Sequence, residues 1–65
     1  MKVRDVVRIL EEEGWQMVLQ RGSHRQFRHP QRPGTVTVPG NLGAELKPDT
    51  LASVWKQART RRRWS

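Results

Sequence analysis

The period of the apolar residues changes twice along this chain, from helical to alternating across Gly14 and back to helical at Pro48, which leaves few folds open to it. Val3, Val6, Val7 and Leu10 follow the i, i+3, i+4, i+7 spacing of one helical stripe, while Arg4, Arg8, Glu11 and Glu12 fall elsewhere around the axis. The spacing predicts a helix ending near Glu13 and closed by Gly14 in a left-handed conformation. Residues 15–20 then set Trp15, Met17 and Leu19 against Gln16, Val18 and Gln20, the alternation of a half-buried strand, with Trp15 and Met17 assigned to the core. Arg21-Gly22-Ser23 has turn chemistry, and residues 24–29 resume an extended pattern until Pro30 stops it. Phe27 is the large apolar residue of this second strand and marks its inward face. By parity Arg25 and His29 share that face, and His24, Gln26 and Arg28 look outward.

Gln31-Arg32-Pro33-Gly34 reads as the next turn and residues 35–38 as a short β-branched strand, which Pro39-Gly40-Asn41 ends. After a connection over residues 42–47, Pro48 suits the first turn of a helix, where its missing amide hydrogen costs nothing, and Leu51, Val54, Trp55 and Ala58 restore the helical stripe. Three strands with short links form an antiparallel meander. The expected fold is therefore α+β, in the order α-β-β-β-α, with both helices on one face of a three-stranded sheet and the other face open to solvent. Residues 1–58 make the domain, and 59–65 are a basic C-terminal tail.

A chain of 65 residues has room for one domain with a small core. With no cysteine, neither a disulfide framework nor a thiolate zinc site is available, and packing alone must hold the fold. No apolar run approaches the roughly 20 residues of a membrane span, and no signal-peptide core is visible, so the chain reads as soluble, cytoplasmic and unprocessed. The net charge of +7 is concentrated in two places. Residues 14–44 hold Arg21, Arg25, Arg28 and Arg32 and no acid, and the tail holds Arg59, Arg61, Arg62 and Arg63 with Trp64 among them. Basic blocks of this kind suit an anionic partner such as nucleic acid, although a solubilising role for the tail stays equally open.

Within the first block, Gly22-Ser23-His24-Arg25-Gln26-Phe27 has the parts of a small phosphate-handling site. An imidazole can accept and return a proton at neutral pH, and RNA carries its own nucleophile in the 2′-hydroxyl. Cleavage then needs a base, a cation for the charge that develops on phosphate, and alignment of the leaving oxygen. His24 is the candidate general acid or base, and Arg21, Gly22, Ser23, Arg25 and Arg28 are the candidate RNA-binding residues. Each also has a plain structural reading. His24 can be an ordinary surface histidine, Ser23 a cap of its own turn, and Gly22 only a residue with positive φ. Arg25 is doubtful as a direct partner because parity turns it away from His24, and His29 reads as a polar strand end. Metal-dependent nuclease chemistry lacks carboxylates near this centre, and Glu11-Glu12-Glu13 points in successive directions around a helix end, so no metal or other cofactor is expected.

Gly14-Trp15, Gly22-Ser23-His24, Gln26-Phe27, His29-Pro30, Val36-Thr37-Val38-Pro39 and the stripe over 51–58 together resemble the HicA toxin family in order and spacing. The resemblance implies a double-stranded-RNA-binding-domain-like fold, an mRNA-cleaving ribonuclease that inhibits translation, and a HicB antitoxin partner that blocks it. It also matches the family's catalytic histidine to His24. Three departures stand out: Asp49-Thr50 where many relatives have Gly-Thr, Gly40-Asn41 where many have a histidine, and Arg59 onward where relatives have a glycine and end. Regulation of DNA would fall to the antitoxin complex, since this chain has no helix-turn-helix spacing. The rival readings are a non-catalytic RNA-binding module and an inactive toxin relic that acts by binding its antitoxin.

Overall fold

The computed structural model describes residues 1–59, in the order α1 (Val3–Glu12), β1 (Gln16–Arg21), β2 (His24–His29), β3 (Arg32–Val38) and α2 (Pro48–Ala58). The strands form one antiparallel sheet in the order β1-β2-β3, which is the expected α-β-β-β-α meander. Tail residues 60–65, including Arg61, Arg62, Arg63 and Trp64, lie outside the described residues. Among the described residues no helix is long and apolar enough to cross a membrane.

The core joins Val3, Val6 and Leu10 of α1, Trp15, Phe27 of β2, Val36 and Val38 of β3, Leu46, and Leu51, Val54 and Ala58 of α2. Both helices thus cover the sheet face that Phe27 marks. Full burial of each large aliphatic or aromatic side chain contributes about 1.5–3 kcal/mol, which matters in a domain with so small an interior. Ile9 is buried as well, outside this main cluster, whereas Val7 of the predicted stripe is only partly covered.

The first helix starts without a side-chain cap. Its free amides are met by the connection between β3 and α2: Val3 N–H donates to the Ala44 carbonyl at 2.9 Å and Arg4 N–H to the Leu42 carbonyl at 3.0 Å. A bridge between Lys2 and Glu45, and the Met1 amino group on Glu45 at 2.9 Å, continue the same seam. The connection over residues 42–47, to which the sequence assigned no packing role, therefore closes the helix start and sends Leu46 into the core.

At the other end, Arg32 Nη1 donates to the Ala58 carbonyl at 3.3 Å, placing a cation at the negative end of α2. Arg59 then closes the helix with φ 53, in the left-handed region that favours glycine. That conformation costs an L-residue about 1–2 kcal/mol. Arg59→Gly is expected to gain about 1 kcal/mol, seen as a rise of roughly 4–8 °C in the thermal midpoint. An unchanged midpoint would show that this cap is not strained.

Two sequence expectations are corrected here. Strand β3 begins at Arg32, not at Thr35, because His29 pairs with Arg32 and the turn tightens to Pro30 and Gln31. Pro33 and Gly34 form an irregularity inside an edge strand, where a missing amide hydrogen and the positive φ of Gly34 (87°) are tolerated. The second correction concerns β1, which is exposed along its whole length, with Met17 48% accessible instead of buried. The core cluster draws on β2 and β3 and leaves β1 as an uncovered edge, with Trp15 entering the interior just before the strand begins.

Candidate active site on the open sheet face

The β1–β2 hairpin turns on Gly22 and Ser23, with Arg21 and His24 as the last opposed pair. Gly22 has φ 56 at the first central position, as a two-residue II′-type turn requires, and a Cβ built there meets nothing within 4 Å. Backbone conformation, not close approach of a neighbour, is what selects glycine. Directly opposed side chains sit about 5 Å apart at Cβ, so the turn brings the Arg21 guanidinium and the His24 imidazole together on one face.

A β-bulge between Met17 and Leu19 decides what joins them. Met17 pairs with Phe27, on the inward face, and Leu19 pairs with Gln26, on the outward one. The one-residue shift moves Leu19 and Arg21 to the side of His24, and simple alternation from Trp15 gave no sign of it. The result is a shallow pocket of about 300 Å³ lined by Leu19, Arg21, His24, Gln26 and Thr37. Arg28 lies on the same outward face, paired with Gln16 and Thr35 and exposed. The side chains of Arg21, His24 and Arg28 make no hydrogen bond or ion pair with the other described residues, which leaves their polar groups available to a ligand.

Arg25 is separated from this group, in keeping with strand parity. It is buried, 8% accessible, with Nη1 donating to the Gly40 carbonyl at 2.8 Å and to the Ser23 carbonyl at 3.2 Å. The guanidinium ties the turn that carries His24 to the corner that ends β3. A cation so enclosed is tolerable because carbonyl dipoles replace its water. Ser23 is half-buried at that anchored turn, and its backbone carbonyl is the atom in use.

The second histidine is also committed elsewhere. Gln31 N–H donates to His29 Nδ1 at 3.0 Å, which makes that nitrogen the acceptor and leaves Nε2–H to donate to the Glu13 carbonyl at 2.8 Å. Its ring meets Trp15 edge-on, with centroids 5.3 Å apart. His29 thus fastens the end of α1 to the end of β2, on the opposite face from His24. Sequence reasoning gave the facing of both histidines correctly and had no means of finding the three carbonyls that Arg25 and His29 bind.

Fold and site together define a class: a small α-β-β-β-α domain whose helices cover one sheet face and whose other face displays a histidine among arginines. A family model described as the HicA toxin of bacterial toxin-antitoxin matches residues 3–59, and the chain belongs to that family. It is therefore the toxin member of a toxin–antitoxin system, a class that works with an antitoxin partner. No curated protein matches the chain.

Proposed function

We propose that the protein is a metal-independent endoribonuclease toxin that cleaves mRNA, inhibits translation and is neutralised by a HicB-like antitoxin. The observation that carries this reading is the pairing of exposed His24 with Arg21 across the hairpin end, beside a pocket and on a face that also holds Arg28. Membership of a toxin family supports a nuclease at the level of class. An mRNA target implies action in the cytoplasm, and any control of DNA belongs to the complex with the antitoxin.

In the proposed reaction His24 serves as general base or general acid. The 2′-hydroxyl loses its proton as O2′ bonds to phosphorus, and the P–O5′ bond breaks while the leaving O5′ gains a proton. Arg21 and Arg28 hold the phosphate and offset the charge that grows on its non-bridging oxygens. Gly22 lets the hairpin turn back without a side chain at the mouth of the site, and Ser23, next to His24 in the chain, is the proposed hydroxyl donor to the RNA. Arg25 acts through these residues: it positions the turn and touches no RNA. Because the nucleophile comes with the substrate, no metal-bound hydroxide is required, and no acidic residue lies between positions 14 and 44 to hold an ion there.

Product ends test the chemistry. Single-stranded RNA incubated with the full chain in EDTA is expected to yield 5′-hydroxyl ends and 2′,3′-cyclic phosphates. Products with 5′-phosphate and 3′-hydroxyl ends, or cleavage abolished by EDTA and restored by a divalent cation, would overturn the mechanism. RNA that is bound in a salt-dependent way but never shortened would make the protein a binding module instead.

A further inference from the structure

Next to the Arg21–His24 pair, the sheet carries a second cross-strand row of different chemistry. Gln26 is opposed by Leu19 on β1 and by Thr37 on β3, so the three side chains line up across the open face. Two residues along a strand span about 7 Å, which puts this row one step from the pair that would hold phosphate. Leu19 is 41% accessible on a face otherwise formed by arginine, histidine, glutamine and threonine, and it is there because the bulge turns it outward. The Thr37 backbone N–H is taken by Gln57 Oε1 at 3.2 Å, and Thr37 also lines the pocket. Neither the Thr37 hydroxyl nor the Gln26 carboxamide makes a hydrogen bond with another described residue.

An apolar side chain at one end, a donor–acceptor amide in the middle and a hydroxyl at the other end match a flat ring with polar edges. They do not match a second phosphate, for which Leu19 and an uncharged amide offer little. The pocket volume of about 300 Å³ lies at the small end of ligand sites and suits a single ring system, not an extended peptide. Unpaired RNA bases are held in this way, by contact on the ring face and hydrogen bonds along the edge. We propose that Leu19, Gln26 and Thr37 form a nucleobase subsite that seats one unpaired base beside the phosphate at His24 and Arg21, and so sets the base preference of cleavage. This inference rests on the ribonuclease reading above. Leu19 supplies the face, and Gln26 and Thr37 read the edge.

Two measurements test it and separate its failure from that of the reading beneath it. In the first, the full chain and its Leu19→Ala, Gln26→Ala and His24→Ala variants cut a randomised single-stranded RNA pool in EDTA, and the cut sites are sequenced. The parent is expected to prefer particular bases at one position flanking the cut, and Gln26→Ala to reduce that discrimination about tenfold, the scale of one bidentate base contact. Leu19→Ala should reduce it as well. Unaltered base preference in both variants, or a parent with no preference at any position, would sink the subsite. If His24→Ala cuts as well as the parent with its preference intact, the acid–base reading fails and the subsite stands.

The second measurement does not depend on cutting. A 2′-O-methyl oligonucleotide, whose nucleophile is blocked, is given a single abasic position scanned along its length. Loss of one particular base should weaken binding to the parent about tenfold and leave binding to Gln26→Ala nearly unchanged, because that contact is already missing. Equal losses for parent and variant at every position overturn the proposal, even for a protein that cuts nothing. All three substituted residues are at least partly solvent-exposed, so thermal unfolding serves as the check that each variant folds.

Discussion

Replacing His24 by alanine is expected to lower RNA cleavage by roughly 10²–10⁴, the range that a positioned acid–base group contributes. The side chain is exposed and makes no hydrogen bond with other described residues, so its removal should leave the unfolding midpoint within experimental error of the parent. Affinity for uncleavable RNA should fall only slightly, since in the proposed mechanism Arg21 and Arg28 hold the phosphate and both are retained. The diagnostic result is thus a rate lost without loss of fold or of binding. A 2′-deoxy residue at the cut position should abolish cleavage by the parent protein, because the nucleophile is missing. If His24→Ala cuts at the parent rate, His24 is not the acid–base group. Arg21 then becomes the residue to test.

The second large effect is expected at Gly14, far from the chemistry. Gly14 has φ 98, and a Cβ added there would sit 2.7 Å from His29 Nε2. The backbone is left-handed, at a cost of about 1–2 kcal/mol for an L-residue, and the clash cannot be relieved cheaply. Moving the ring breaks its bonds to the Glu13 carbonyl and the Gln31 amide and shifts it from Trp15. Each hydrogen bond is worth about 1 kcal/mol, so Gly14→Ala should destabilise the domain by about 3 kcal/mol in all. At about 0.05–0.15 kcal/mol per residue, a chain this short has roughly 3–10 kcal/mol to lose. Urea titration reads the effect directly, and a double-mutant cycle with His29→Ala divides it. The steric part should vanish when the ring is absent, while the cost of the left-handed backbone remains. A variant as stable as the parent would mean that the close approach of Gly14 and His29 is absent in solution.

These two residues show how unevenly the molecule was legible. The outward facing of His24 followed from Phe27 alone, because side chains alternate strictly along β2 and one large apolar residue fixes which side is the interior. The glycine closing α1 followed from its place after the last stripe residue. Nothing in the sequence, however, joined Gly14 to His29, since their contact depends on how a helix end meets a strand end in space. Met17 marks the limit of the alternation rule in another way. Its period was right, but a bulge one residue later and the lack of a helix over β1 left it in solvent. Arg25 was placed on the correct face, and its role as a tie to Gly40 required the corner after β3 to be in position.

By itself the sequence determined the number, type and order of the elements, the inward face of β2, and the gathering of positive charge without acids around His24. These are properties of local spacing, set by backbone geometry within a few residues. Only the tertiary structure decided that Leu19 turns to the open face beside His24, that Arg25 and His29 are structural ties, and that residues 42–46 complete the start of α1. Each of these depends on which distant backbone groups come within hydrogen-bonding distance. A bulge and a buried cation are stable only once those partners are in place.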